Sequence, residues 1–527
     1  MKKRKTSWEK TRNLYVNWLS KTSLRNFFSK NIVFDNLSLW WLTNLIEKDN
    51  LNDPLWYNDL HKKLNKEKVF PKNSYFLLFY KVLKKFIFHM ISYSFIKIFY
   101  RNKFDPHLTK ENCIHARFQN LKNYEKSFVV DRQYGLYGLR EKKKQIYLIE
   151  FFGDFNSIKN FGSIKKKLDK IPFEHCILEK FVTLKEIIKI YYFTLKQLTI
   201  LIKILDKKNF FIIKGNDCEI ILKKKLLSSF FGPIQDQLVR GLCLKNFLKI
   251  SKIKNFITYY DFHPGARVLY HFAKESKVDN VININHANYS ENNIFFNFNI
   301  SDFSNGDEQG RLYSPKPDYY FCQGLKYHKK IKKIFKNKAH IIGSLKSELE
   351  KPLNFKKIKK INFKNIFNNE KKILLILCSL HDYGPFIKLL NKCELNNFNI
   401  LVLPHPVKKK QTISDFKKKF KKDFIDGSRF DKAMLLKTSD YIVFGDTSLG
   451  LELSILKKNM FRLYDSQFIP TFDLDSEIPT AKNKSSVEFF LRQKKIRQKS
   501  KMIEKFYFHK YDRKGSTRLR KLLSRIS

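Results

Sequence analysis

Short apolar runs recur along most of the chain, and stretches with helical spacing separate them. IYLIEFF (146–152), FFIIKG (210–215), FITYYDF (256–262), VININHA (281–287), DYYFCQG (318–324) and HIIGS (340–344) read as strands. PGARVLYHFAKES (264–276) reads as a helix between two of them, with Pro264 where a first helical turn tolerates it. A lysine-rich stretch (346–372) with little periodicity follows, and then the alternation restarts. Strands are expected at ILLILCSL (373–380), NILVL (399–403), YIVFG (441–445) and MFRLYD (460–465). Helices are expected near 385–394, 413–421, 429–437 and 448–458. Strands that alternate with helices point to βαβ units and mostly parallel sheets.

The pattern predicts an α/β chain of two doubly wound, Rossmann-like units with a mainly helical N-terminal extension. The expected boundaries are 1–110 for the helical, basic and aromatic region, 111–345 for the first unit and 346–371 for a linker. The second unit covers 372–480, and 481–527 reads as a basic helical tail. A length of 527 residues exceeds what one hydrophobic core serves, which agrees with two domains.

Composition changes this picture little. The formal charge of +55 suggests a negatively charged partner. However, Lys, Asn, Ile, Phe and Tyr are all enriched and all have AT-rich codons, so codon bias accounts for much of the excess. The charge is therefore weak support for nucleic acid, and none is expected as a partner. Seven cysteines (113, 176, 218, 243, 322, 378, 393) show no C-x-x-C pair, so a reducing compartment and no zinc site are expected. The basic N-terminus lacks the apolar core of a signal peptide, so a cytoplasmic location is expected. The uncharged run Phe86 to Ile96 is too short to span a bilayer, which needs roughly 20 residues. Flanked by lysines, it reads as a buried helix or as one lying on an anionic inner leaflet.

Candidate chemistry gathers just after strands, where α/β sheets bind ligands. His405 sits in LPHP, with Pro404 and Pro406 restricting the backbone on both sides of the ring. His286 follows the strand 281–285. GDTSLGLE (445–452) runs from a strand end into a helix, and IIGSLK (341–346) closes the first unit. Thr447 and Ser448 at a helix start offer hydroxyls and free N–H groups to a phosphate, and Gly450 would let an anion come close. Glu452 could hold ribose hydroxyls, and His405 could donate to a phosphate oxygen. Each has a plainer reading: a helix cap, a structural histidine, or a turn at Asp446. Asp473 to Asp475 has the D-x-D letters of a metal-binding motif but falls after the core strands.

These segments together resemble the GT-B glycosyltransferases of surface polysaccharide biosynthesis. That group includes capsule synthesis proteins, bacterial sialyl- and polysialyltransferases, and CDP-glycerol glycerophosphotransferases. VININHANYS is similar to their strand followed by Gln-His-Gly, with Asn285 and Ala287 flanking His286. SPKPDYYFCQG with AHIIGSLK, the NILVLPHP motif, and DYIVFGDTSLGLELS also resemble that family's segments. Thr-Ser here replaces the family's usual Ser-Ser.

The resemblance implies a transferase that moves a sugar from a nucleotide donor to a surface polysaccharide or lipid-linked glycan. Its nucleotide side would comprise Gly343, Ser344, Lys346, His405, Pro406, Asp446, Thr447, Ser448 and Glu452. His286, His405, Asp261 and His263 are the catalytic candidates, with the general base open among Asp261, His263 and His286. Lys346 and Arg267 would stabilise the departing phosphate, and no metal or other cofactor is expected. Peripheral contact with an anionic inner membrane would suit a lipid-linked acceptor. The rivals are a sugar-nucleotide epimerase of the same fold, a basic nucleic-acid-binding protein, and a non-catalytic scaffold.

Overall fold

The computed structural model describes residues 7–48, 54–67, 76–100, 110–124, 128–141, 144–151, 161–207, 209–285, 294–303, 308–349, 371–379, 383–405, 408–445, 447–455, 458–464, 478–510 and 512–526. They form two compact units. Residues 7–285, 294–349 and 512–526 belong to the first, and 371–510 to the second.

The first unit is built on a seven-stranded sheet. Its strands are Lys110–Arg117 (β1), Gln145–Glu150 (β2), His175–Ile177 (β3), Ile253–Thr258 (β4), Asn280–Ile284 (β5), Tyr319–Cys322 (β6) and Ala339–Ile341 (β7). Every neighbouring pair is parallel, and the order is β3-β2-β1-β4-β5-β6-β7. Parallel strands need helices on both faces, so they bury nearly every residue; all six of β2 are buried. Ile114, Ile149, Ile257, Ile282 and Phe321, one from each central strand, make a continuous layer of core.

The Gly515–Ile526 helix completes this layer from the far end of the chain. Leu519 and Leu523 enter the same core, and Arg518 Nε donates to the Ile342 carbonyl (2.6 Å). Residues 481–527 are therefore not one tail. Thr480–Ala481 adds an edge strand to the second unit, the Lys484–Arg492 helix packs there through Val487 and Leu491, and 512–526 closes the first unit.

FFIIKG departs from its expected place in the sheet. Ile212–Ile213 pairs only with Asn216–Asp217, around a tight turn in which Lys214 and Gly215 have positive φ (49° and 77°). The N-terminal region is helical as read, and Trp40 and Trp41 are buried in a short 3-10 turn. All seven cysteines are buried.

In the second unit the strands are Lys372–Leu377 (β8), Phe398–Leu403 (β9), Ile425–Asp426 (β10), Tyr441–Phe444 (β11), Met460–Leu463 (β12) and Thr480–Ala481 (β13). All pairs are parallel, in the order β10-β9-β8-β11-β12-β13. The second sheet therefore runs 3-2-1-4-5-6 in its own numbering, the doubly wound order of mononucleotide-binding folds, and the first runs the same way with a seventh strand added at its edge. No helix among the described residues is long and apolar enough to cross a membrane.

Candidate functional site

In a doubly wound sheet the connections diverge between the first and fourth strands, and the gap left at their carboxyl ends receives ligands. In the second unit that point lies between β8 and β11. His405 follows β9, beside β8, and the Cys378 N–H donates to the Leu403 carbonyl (3.0 Å), pairing the two strands to their ends. The His405 carbonyl accepts from the Lys408 N–H (3.0 Å), which turns the chain into the Lys409–Lys419 helix. Burial pushes the His405 pKa below its ordinary value, so the ring is neutral at pH 7.

Thr447 follows β11. Its hydroxyl accepts from the Leu449 N–H (3.3 Å) and so starts the Ser448–Ile455 helix. β9 and β11 flank β8 on either side, which sets their ends about 10 Å apart across the sheet. A nucleoside phosphate can bridge that interval. Pro406 and Asp446 lie outside the described residues, as do the side chains of Ser448 and Glu452.

Gly450 does not serve the purpose expected of it. A Cβ there would lie 2.1 Å from the Phe444 ring, so the glycine lets the helix pack on β11 rather than letting an anion approach. Gly450→Ala should therefore lower stability by about 1–3 kcal/mol through overpacking, measurable by urea denaturation. A nucleotide affinity that collapsed while stability held would contradict this assignment.

In the first unit, Asp261 and His263 occupy the loop after β4. Asp261 is fully buried with φ of 53°, an unusual backbone conformation for a non-glycine residue. Its carboxylate accepts from Asn283 Nδ2 (3.2 Å), Asn285 Nδ2 (3.2 Å) and the Tyr320 hydroxyl. Tyr270 bonds both the Asp261 carbonyl and Asn283. The carboxylate thus ties the ends of β4, β5 and β6 together, a positioning duty rather than that of an exposed base.

His263 begins the Pro264–Glu275 helix and stacks on Phe295 (3.6 Å between centroids). Arg267, one turn further on, is buried with Nε donating to the Phe262 carbonyl (2.9 Å). His286 lies outside the described residues. The structure thus brings Asp261, His263 and Arg267 to one loop and helix start.

The third group sits elsewhere, after β7. Gly343 has positive φ (81°), Ser344 is buried, and Lys346 opens a 3-10 turn, Lys346–Glu348. Buried Glu348 in that turn accepts from the Ser516 N–H (2.7 Å), the Ser516 hydroxyl (2.9 Å) and the Leu136 N–H (3.2 Å). This segment, expected to begin a linker, is where the Gly515–Ile526 helix docks.

A set of residues that the sequence did not single out fills the crossover of the first sheet. Glu150, the last residue of β2, is buried and accepts from His115 Nε2 (2.8 Å), Arg240 Nη2 (2.7 Å) and the Tyr260 hydroxyl (3.2 Å). Arg117 Nε is 3.9 Å away. Burial opposes ionisation of Glu150, but Arg240, His115 and Arg117 outweigh it and hold the carboxyl well below the usual range. Glu179, just past β3, goes the other way. Burial, helped by the negative charge of Glu150, pushes it up to about 8. One of its oxygens accepts from the Phe151 N–H (2.7 Å), and the other is buried without a partner. Two neighbouring carboxyls held in opposite protonation states are what acid–base chemistry uses. The available signal was that Glu150 is a polar residue at a strand end, hidden within IYLIEFF.

Among the described residues, no group of three or more His, Cys, Asp or Glu side chains is placed to hold a metal ion. The Asp473 to Asp475 segment lies outside them.

No protein-family model and no curated protein matches the chain. Its likenesses are to solved structures. One is the wall teichoic acid polymerase TagF in a structure with CDPG, at 10% identity and a TM-score of 0.38, covering 86% of this chain and 98% of that one. Another is the UDP-N-acetylglucosamine 2-epimerase from Rickettsia bellii, at 12% identity and a TM-score of 0.43, covering 80% and 97%. A third is the UDP-GlcNAc 2-epimerase from Neisseria meningitidis bound to UDP-GlcNAc, at 12% and 0.39, covering 79% and 100%. At these values the likeness assigns no substrate, and the chain is described by its own geometry as two doubly wound parallel-sheet units with a helical N-terminal region.

Proposed function

We propose that this protein is a glycosyltransferase of the GT-B kind. It takes a sugar or related group from a nucleotide-activated donor and passes it to a surface polysaccharide or lipid-linked glycan. The observation that carries this reading is the second sheet. Its 3-2-1-4-5-6 order stations His405 and Thr447 at the carboxyl ends of the strands flanking β8, where such folds hold a nucleotide. The neutral imidazole of His405 donates an N–H to the leaving phosphate, and the start of the Ser448–Ile455 helix offers its free N–H groups to the same charge. Lys346 remains the basic candidate for stabilising the departing phosphate. With Asp261 held in its positioning role, His263 and His286 remain the candidates for the acceptor's base.

The test is thermal stabilisation by CMP, CDP, UDP, GDP and their sugars, with wild type and His405→Ala side by side. At least one nucleotide should raise the melting temperature of the wild type, and the variant should lose most of that shift. If none does, the donor site is not there. Incubation with the stabilising nucleotide sugar and no acceptor separates the transferase from an epimerase, which would release an epimerised nucleotide sugar.

The reading includes peripheral contact with an anionic membrane. The Phe76–Phe99 and Leu184–Leu205 helices pack together through Phe86 and Tyr191 (4.9 Å). Each nevertheless leaves apolar side chains in water: Leu83, Ile87 and Ile91 on one, Ile188 and Tyr192 on the other, all about half exposed or more. Exposed lysines 84, 185, 189 and 196 lie among them. An apolar face edged with lysine suits the boundary between headgroups and acyl chains. We expect co-sedimentation with phosphatidylglycerol-containing vesicles and little with pure phosphatidylcholine. Ile87→Glu, Ile91→Glu and Tyr192→Glu together should abolish it; equal binding by that variant would dismiss this surface.

A further inference from the structure

The N-terminal helical region meets the carboxyl edge of the first sheet at a concentration of buried positive charge. Lys48 and Arg267 are 4% and 3% exposed, and Arg25 is 5% exposed. Arg25 and Arg267 lie over the Trp41 ring, 5.0 and 5.1 Å from its centroid. Lys330, half-buried, reaches in from the Leu325–Phe335 helix and donates to Asn297 Oδ1 (2.7 Å), while the Lys48 amine donates to the Asn297 carbonyl. Asp302 is the carboxylate that faces this group among the described residues, and Arg25 Nη1 already holds it at 2.9 Å.

Buried charges are ordinarily paired, because an isolated one loses several kcal/mol of hydration. Among the described residues, Lys48 and Arg267 lack that pairing. Arg267 Nη1 is buried without a hydrogen-bond partner among them, though its Nε is satisfied by Phe262. The strain registers on both groups. Burial, with the Arg267 charge second, pushes Lys48 down to about 7, and burial pushes Arg267 down to about 10. Lys48 also has a positive φ (52°), which turns the chain directly after the Asn44–Glu47 helix. Such backbone conformations are enriched at ligand sites.

We propose that Lys48, Arg267 and Lys330 form an oxyanion site that receives the phosphoryl group of the acceptor. An oxyanion would supply the charge that Asp302 cannot share between two buried cations and give Arg267 Nη1 its acceptor. The site lies beside the loop that carries Asp261 and His263, so an acceptor anchored there by its phosphate would present its nucleophile near the strand ends. Assigning the ligand to the acceptor rests on the glycosyltransferase reading; the oxyanion site itself does not.

The experiment uses the full chain carrying His405→Ala, which weakens phosphate binding at the donor side, and the Lys48 and Lys330 variants isolate what this site contributes. Inorganic phosphate is titrated against sodium chloride at matched ionic strength, followed by melting temperature and by calorimetry. A short-chain polyprenyl monophosphate in detergent forms a second arm, which separates a lipid-borne phosphate from a free one. Phosphate should stabilise the protein beyond the chloride control. Lys48→Met and Lys330→Gln should each raise the half-saturating concentration about tenfold or more, the weight of a charge-assisted hydrogen bond. Tighter binding of the polyprenyl phosphate would assign the site to a lipid-linked acceptor, and equal binding to any phosphorylated end.

With His405 restored, the same two variants should keep wild-type nucleotide stabilisation, so failure of this site and failure of the donor site are separate results. No shift beyond chloride in either arm overturns the proposal, as do half-saturations unchanged in Lys48→Met and Lys330→Gln.

Discussion

Glu150→Gln will lower the stability of the protein by about 3–5 kcal/mol, the loss expected when one member of a buried ion pair is removed. The reason is what the substitution leaves behind. Arg240 is buried, and its Nη2 donates to the Glu150 carboxylate at 2.7 Å. His115 and the Tyr260 hydroxyl also direct hydrogens at that carboxylate. A glutamine keeps the volume but presents two hydrogens of its own to donors, and the guanidinium loses its counter-charge. Urea denaturation of wild type and variant measures the difference.

The companion Glu150→Gln with Arg240→Met should recover much of the loss, because the orphaned charge goes with its partner. The acid limb gives an independent reading. A carboxyl held below its unfolded value contributes stability above about pH 4.3, and loses it as pH falls through the folded value. The wild type should therefore shed its advantage over Glu150→Gln as the solution is taken from pH 5 toward pH 2. A change below 1 kcal/mol at pH 7 would mean that the cluster does not depend on this carboxylate.

His405→Ala should slow transfer about 10²–10³-fold, as losing one donor to a developing anion does elsewhere. The pH dependence distinguishes this from a packing defect. In the free protein, burial holds the imidazole below its ordinary pKa. A bound diphosphate would raise it, so protonation and binding favour each other. Affinity for a nucleotide sugar, whose diphosphate does not itself titrate between pH 5 and 8, should rise as pH falls through the bound-state value. It should level off below the free-state value. The alanine variant should show a flat profile. His405→Asn, which can still donate an N–H, should recover part of the rate while staying flat. Wild-type turnover in His405→Ala would remove the ring from the mechanism.

How much of this could be read without the structure depended on what each strand carries. In the second unit the core strands are uninterrupted apolar runs, ILLIL, NILVL and YIVF, so they stood out. The edges β10 and β13, two residues each, have too few positions to show a period. β1, an inner strand of the first sheet between β2 and β4, was missed. KENCIHAR carries charge at Lys110, Glu111 and Arg117 and a polar ring at His115, and a buried polar network looks like surface when only hydropathy is counted. FFIIKG erred the other way, since its apolar content reflects packing of a small hairpin.

His405 was legible because two prolines mark the ring's place on one strand end. The pairing of Arg240 with Glu150 spans 90 residues and leaves no local trace. Asp261 was singled out by position as a candidate base, whereas its hydrogen bonds to Asn283, Asn285 and Tyr320 come from two neighbouring strands and became visible only once those strands were in register.

The return of residues 512–526 to the first unit bears on how the protein is made. Leu519 and Leu523 belong to the layer that Ile114, Ile149 and Ile257 begin, and Glu348 waits for Ser516. A ribosome finishes the second unit before it delivers that helix. At about 5–20 residues per second, the first unit stays open along one face for on the order of ten seconds or more while its insert is synthesised. Its apolar layer is then exposed to whatever else is nearby. Nascent-chain arrest just before Gly515 should therefore yield a protease-sensitive first unit beside a resistant second one, and chaperone dependence should track that interval rather than the final stability of either unit.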